Sequence, residues 1–178
     1  MKGSVGIQFE TDYNMETLTA MAKGLRKTVR KKRSRRVHIF AAVVLILGLL
    51  TILATVAGGE PLGVSGVVTL LAMLVVILVS LFEDKLNAWF ARKRLLPGTE
   101  HAVATFEEDG YVSATGVTES RFSYAQIVAV AETTRYFVFA LSSHHTQAYD
   151  KRNIRGGSVE DFRAFIAEKT GKPIANIK

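Results

Sequence analysis

The sequence predicts a membrane α+β protein: a two-helix transmembrane hairpin plus a small cytoplasmic antiparallel β domain closed by a C-terminal helix. Three observations carry this. Two 21-residue runs, Val37–Ala57 and Leu62–Phe82, contain no Asp, Glu, Lys or Arg. The formal net charge of +7 lies entirely before the first run, since Lys/Arg and Asp/Glu balance over residues 37–178. The stretch from residue 100 onward has strand-and-turn punctuation and ends in a helix with clear start and stop signals. The 178 residues are 48% hydrophobic and 22% charged, too apolar for a disordered chain. There is no cysteine, which excludes disulfide scaffolds, cysteine catalysis and thiolate metal sites.

A 21-residue helix crosses the roughly 30 Å hydrocarbon core of a bilayer. Thirteen residues of the first run and fourteen of the second are Leu, Ile, Val or Phe. At about −0.3 to −0.6 kcal/mol each, either run favours insertion by roughly 4–8 kcal/mol. Gly58-Gly59-Glu60-Pro61 between them breaks the helix and permits only a tight antiparallel return. Gly48, Thr51 and Thr55 on the first helix, with Gly63 and Gly66 opening the second, read as helix-packing positions. A transporter usually carries ionisable or broken-helix positions inside the membrane, whereas here only His38 occurs, at the edge beside Arg36. Ser34-Arg35-Arg36 resembles an export signal, and Thr55-Val56-Ala57 a weak cleavage site. The apolar run is longer than a signal-peptide core, however, and a second span follows at once.

Orientation follows from Lys/Arg bias. Arg26, Lys27, Arg30, Lys31, Lys32, Arg33, Arg35 and Arg36 precede the first span; Lys85, Arg92, Lys93 and Arg94 follow the second; the connecting loop has none. The positive-inside rule places both termini of a multi-pass protein in the cytoplasm and the loop outside. A basic block abutting a span is also a contact for anionic lipids, at about 1 kcal/mol per residue before screening and mutual repulsion. That placement favours membrane over nucleic acid as the partner. Trp89 and Phe90 suit an interfacial aromatic anchor on a juxtamembrane helix within residues 83–99.

Residues 1–36 read as a cytoplasmic strand, Ser4–Glu10, followed by a basic amphipathic helix. Asn14 caps that helix, and Met15, Leu18, Ala22, Leu25 and Val29 recur at helical spacing. It either lies on the membrane or packs against the cytoplasmic domain. In the β domain, residues 100–178, strands are expected at Ala102–Glu107, Tyr111–Thr115, Ser120–Phe122, Ile127–Glu132, Arg135–Leu141 and Thr146–Asp150. Asp109-Gly110 makes a hairpin turn in which glycine accepts positive φ. Arg135–Leu141 puts Phe137, Phe139 and Leu141 on one face and Tyr136 and Val138 on the other. The last helix starts at Ser158 with Asp161 completing a capping-box variant, presents Val159, Phe162, Phe165 and Ile166, and ends at Gly171 and Pro173. It would cover a strongly bent sheet, which the N-terminal strand is a candidate to complete.

Phe122-Ser-Tyr-Ala-Gln-Ile127, Glu132, Tyr136-Phe137-Val138-Phe139, Tyr149-Asp150-Lys151-Arg152 and Ser158-Val-Glu-Asp-Phe162 resemble the YcxB-like family of bacterial membrane proteins. The order of parts is similar too: a short β-prone start, a basic linker, a two-helix hairpin and a small terminal domain. The resemblance implies a pleckstrin-homology-like terminal domain, a module that binds partners or assembles. It supplies no catalytic residues.

Ser142, Ser143, His144, His145 and Asp150 could be drawn as a hydrolytic site, but adjacent residues in a short turn rarely present triad geometry. Adjacent histidines alternate faces and chelate poorly. No catalytic residue, metal or cofactor is therefore expected. Lys151, Arg152 and Arg155, beside Gly156-Gly157 and the start of the last helix, are the candidate anion or lipid head-group contact; the alternative is a solvated turn paired with Glu160 or Asp161. The expected function is a non-enzymatic binding or assembly module held at the membrane, with a protein partner or a second copy as further candidates. The alternative is an envelope-defence or bacteriocin-immunity protein acting through its hairpin.

Overall fold

The computed structural model describes residues 6–177. Ser4 and Val5, the start of the expected first strand, lie outside the described residues. The elements run β1 (Ile7–Asp12), α1 (Met15–Lys27), α2 (Lys31–Ala57), α3 (Val64–Leu81), α4 (Glu83–Lys93), β2 (His101–Phe106), β3 (Tyr111–Thr115), β4 (Glu119–Phe122), β5 (Ala129–Glu132), β6 (Tyr136–Ala140), β7 (Thr146–Asp150), β8 (Ile154–Arg155), α5 (Val159–Thr170) and β9 (Ile174–Asn176).

Two sheets form rather than one bent sheet. The first has the order β4-β3-β2-β1-β8 and is antiparallel throughout; the second has the order β7-β6-β5-β9. β1 sits inside the first sheet, with Phe9 opposite Ala104 of β2 and Ile154 of β8. β1, which precedes both long helices, and β2–β4, which follow them, therefore share one sheet. β9 was not foreseen from the sequence: it pairs parallel with β5, Ala175 opposite Ala131. The β2–β3 turn closes where expected, through Glu107 N–H to the Gly110 carbonyl at 2.8 Å. The reason for glycine differs, because Gly110 does not have positive φ. A Cβ there would lie 2.4 Å from the Phe122 carbonyl oxygen, so close approach of β4 demands it.

The main core lies between the sheets and is largely aromatic. Phe9, Phe106, Tyr111, Phe137, Phe139, Tyr149, Phe162 and Ile166 are buried together. Helix α5 closes it, its Phe162 ring centroid 4.6 Å from Phe9, 4.7 Å from Phe106 and 5.0 Å from Phe137. The helix begins as expected: Ser158 Oγ accepts from Asp161 N–H at 3.0 Å, and Asp161 Oδ2 accepts from Ser158 N–H at 3.1 Å. Gly171 ends it in the left-handed region at φ +61°.

The second sheet is covered on its other face as well, so all five residues of β6 are buried. The cover is α1. Its Asn14 cap accepts from Glu16 and Thr17 N–H, as anticipated. Ala20 and Met21 pack on Tyr136, Val138 and Ala148. Gly24 lies so close that a Cβ would sit 2.7 Å from Val138 Cγ1. Of the two readings of this helix, packing on the domain is the one observed. The helix stops at Lys27, which leaves Val29 in the turn before α2.

Helices α2 and α3 are long and apolar enough to cross a membrane. Neither contains a single buried residue. They touch each other through Gly48, where a Cβ would lie 2.8 Å from Met73 Sδ. Gly63 is not a packing position: it caps α3, and a Cβ there would have no neighbour within 4 Å among the described residues. The hydroxyls of Thr51 and Thr55 are satisfied within α2, on the carbonyls of Leu47 and Thr51. The basic block from Lys31 onward forms the first turns of α2, continuous with the apolar run.

Candidate functional site at the junction of the helices and the β domain

Lys151, Arg152 and Arg155 do not converge on an open site. Lys151 Nζ bonds Glu132 Oε1 and the Thr133 carbonyl, both at 2.6 Å, with its side chain almost buried. Arg152 reaches Asp150 Oδ2 at 3.2 Å, and Arg155 reaches Glu10 Oε1 at 3.0 Å. The partners are not Glu160 or Asp161. Glu132 also receives two hydrogen bonds from Arg163, each 2.8 Å. Those bonds, with the Lys151 bond added, outweigh burial and hold the Glu132 carboxyl down at about 2. Asp150 behaves oppositely: burial pushes its carboxyl up, against the pull of Arg135, which bonds it at 2.7 Å and 2.9 Å. Arg135 also pairs with Glu16 of α1. These charges lock β5, β7, α1 and α5 together.

Ser143 Oγ and His144 Nδ1 are 2.8 Å apart in the β6–β7 turn. Asp150 stands at the far end of β7 and is held by Arg135 and Arg152, so the three residues do not form a relay.

The basic block divides into two groups. Arg26 and Arg30 are built into the fold. Arg26 makes a two-pronged bond to Asp84 of α4, at 2.7 Å and 2.6 Å, and lies 3.8 Å from Glu83. Arg30 Nε donates to the Ser143 carbonyl at 2.6 Å. Lys27, Lys31, Lys32, Arg33, Arg35 and Arg36 are exposed and carry no ion pair among the described residues. Trp89 and Phe90 are about half exposed, their ring centroids 5.0 Å apart, and Lys93 Nζ lies 3.6 Å above the indole.

These arrangements frame a cleft of about 390 Å³. Its walls are Arg26 from α1, Arg30 at the cap of α2 with Arg33, Ser34 and Val37 in its first turns, Glu83 and Asn87 from α4, and His144 from the β6–β7 turn. An adjoining cleft of about 430 Å³ shares Arg30, Asn87 and His144 and continues along Leu18, Leu25 and Phe90. Arg30, Arg33, Ser34 and Val37 fall on one face of the helix because they are three or four residues apart. The first turn of α2 holds no acidic residue and no side-chain cap. Cations at a helix N-terminus oppose the macrodipole by about 0.3–1 kcal/mol each. One acid oxygen in the wall, Glu83 Oε2, is buried without a hydrogen bond among the described residues, 3.6 Å from His38 Nε2.

The sequence marks Arg26, Arg30 and Arg33 only as members of one basic cluster, and it gives no sign that Glu83, Asn87 and His144 stand beside them. Periodicity along α2 was available for Arg30, Arg33 and Ser34. Nothing local marks a turn between β6 and β7 as the neighbour of α2.

The family resemblance read from the sequence holds over residues 106–166, which match the family model described as YcxB-like protein. That segment runs from the end of β2 into α5 and leaves out β1, α1 and both long helices. Neither the curated proteins nor the solved structures contain a significant match to the chain.

Proposed function

We propose that the chain is a non-enzymatic integral protein of the bacterial inner membrane, in which a pleckstrin-homology-like domain acts as a binding or assembly module beneath a transmembrane hairpin. The observation that carries this reading is the exposure of the hairpin. Phe40 is 70% exposed and Leu81 72%, although the β domain beside them closes its own core completely. A surface of that size and apolarity calls for a covering phase, and two helices of 27 and 18 residues match the length a bilayer requires. The bias of Lys and Arg toward the flanks supports placing both termini and the β domain in the cytoplasm. The two packed sheets closed by α5 support the pleckstrin-homology-like reading, and the family match supports it over residues 106–166. The non-enzymatic part rests on the pairing of the domain's buried ionisable groups with one another: Glu132 with Lys151 and Arg163, Asp150 with Arg135.

Fractionation tests the anchoring. The full chain is expected in the membrane pellet after an alkaline carbonate wash. A chain with residues 37–82 replaced by a short Gly/Ser linker is expected in the supernatant, folded by near-ultraviolet circular dichroism. Recovery of the full chain in the supernatant contradicts the proposal. Crosslinking from the junction and from the Arg152–Gly157 surface in intact membranes, with identification of what is captured, tests the binding role.

A further inference from the structure

We propose that the junction cleft is a built site for a phosphoryl anion, in the membrane the phosphate of one anionic phospholipid, gripped by Arg30 and Arg33. The inference rests on the membrane reading above and deepens it: a shaped site, not only a basic surface.

The charge balance of the walls comes first. Arg26 is neutralised by its two bonds to Asp84. Arg30 is not, because its partner is the Ser143 carbonyl, which fixes the guanidinium without cancelling its charge. Arg33 has no ion pair among the described residues. The wall carboxylate Glu83 lies 3.8 Å from Arg26, which Asp84 already neutralises, so Glu83 offsets one further guanidinium. Arg30 and Arg33 therefore leave the cleft one net positive charge, beside the Asn87 amide, the Ser34 hydroxyl and the His144 ring. Guanidinium forks bind phosphate oxygens in pairs, which an ammonium does not do.

Position comes second. The helical row Arg30, Arg33, Ser34, Val37 runs from the β domain to the first residue of the uncharged run. A hairpin seated in lipid puts that row at the level of the phosphates. The cleft volume of about 390 Å³ lies within the usual range for small-ligand sites, roughly 300–1,000 Å³. By contrast Lys151, Arg152 and Arg155 each face a carboxylate. Lys31, Lys32, Arg35 and Arg36 lie outside the cleft and attract a charged surface without shape.

The test uses the full chain, delipidated in detergent and titrated with phosphatidylglycerol or phosphatidylcholine under native mass spectrometry. One phosphatidylglycerol is expected to bind saturably and in preference to phosphatidylcholine. Arg30→Gln with Arg33→Gln should weaken it about tenfold or more, and Lys31→Gln with Lys32→Gln, which removes the same charge, less than about threefold. Arg33→Gln alone keeps the Arg30–Ser143 tie and should still weaken binding several-fold. Arg30→Lys with Arg33→Lys keeps the charge and should not restore it. Equal losses in the two Gln pairs, full binding by the Lys pair, or no preference over phosphatidylcholine overturns the site. Millimolar glycerol phosphate distinguishes the sources: failure to displace the lipid supports a lipid headgroup, and displacement with equal binding of glycerol phosphate alone overturns the lipid assignment in favour of a soluble phosphate. A chain that needs detergent yet binds no phosphatidylglycerol rejects the cleft while leaving the anchoring intact.

Discussion

The β domain and the helical hairpin are both rich in large apolar side chains, and they turn them in opposite directions. In the domain, Phe9, Phe137, Phe139, Phe162 and Ile166 are fully buried, and buried charges are met by opposite charges. In the hairpin no residue is buried, and polar atoms such as Thr51 and Ser80 Oγ bond carbonyls of their own helix. The first pattern is a core assembled against water. The second keeps its side-chain hydroxyls bonded within their own helices and leaves its apolar surface uncovered. The same side chain should therefore have opposite energetic weight in the two regions.

The largest contrast is expected at Phe162. Phe162→Ala removes the ring that five others pack around and should destabilise the domain by about 3–5 kcal/mol, read as a lower melting temperature of the detergent-solubilised chain. Retention of the wild-type melting temperature would break the comparison on the domain side.

Next is the charge hub. The Glu132 carboxyl is lowered from 4.5 to about 2, so its contribution is complete above pH 4.5 and is lost as pH falls toward 2. The linkage is on the order of 3 kcal/mol. Asp150 acts in the opposite sense, since a raised carboxyl favours folding as it takes up its proton, and offsets part of the loss. Glu132→Gln should cost about 3 kcal/mol at neutral pH, because Lys151 stays buried without its partner. It should also flatten the acid limb of a stability–pH curve; an unchanged limb would assign the loss elsewhere.

Leu71→Lys sharpens the hairpin side. Leu71 is 57% exposed, so in water the change would be harmless or favourable. In a bilayer it should cost roughly 2.5–3.5 kcal/mol and lower the membrane-inserted fraction in an insertion assay. Leu50→Ala is the smallest effect. At 56% exposure it should change domain stability by less than about 0.5 kcal/mol, although the same truncation in the core costs several times more.

What was legible follows the range of the interactions. Helix α5 is written locally, in Ser158, Asp161 and Gly171, and its expected ends match the structure. The faces of β6 follow from alternation alone. β9 is three residues long and owes its existence to β5, which lies far away in sequence. Lys151 and Arg152 advertise an anion site by type and spacing, and only the fold reveals that Glu132 and Asp150 already hold them. The junction cleft was not visible as such, because helical periodicity aligns Arg30 with Arg33 but does not bring Asn87 and His144 beside them.

The central claim, a hairpin threaded through lipid with the β domain on the inner side, is open to a direct measurement because the chain has no cysteine. Single variants Glu60→Cys, in the α2–α3 loop, and Glu160→Cys, on the exposed start of α5, would be treated with a membrane-impermeant maleimide on intact spheroplasts and again after lysis. The account requires Glu60→Cys to react in both samples and Glu160→Cys only after lysis. Labelling of both positions, or of Glu160→Cys alone, in intact spheroplasts would contradict it.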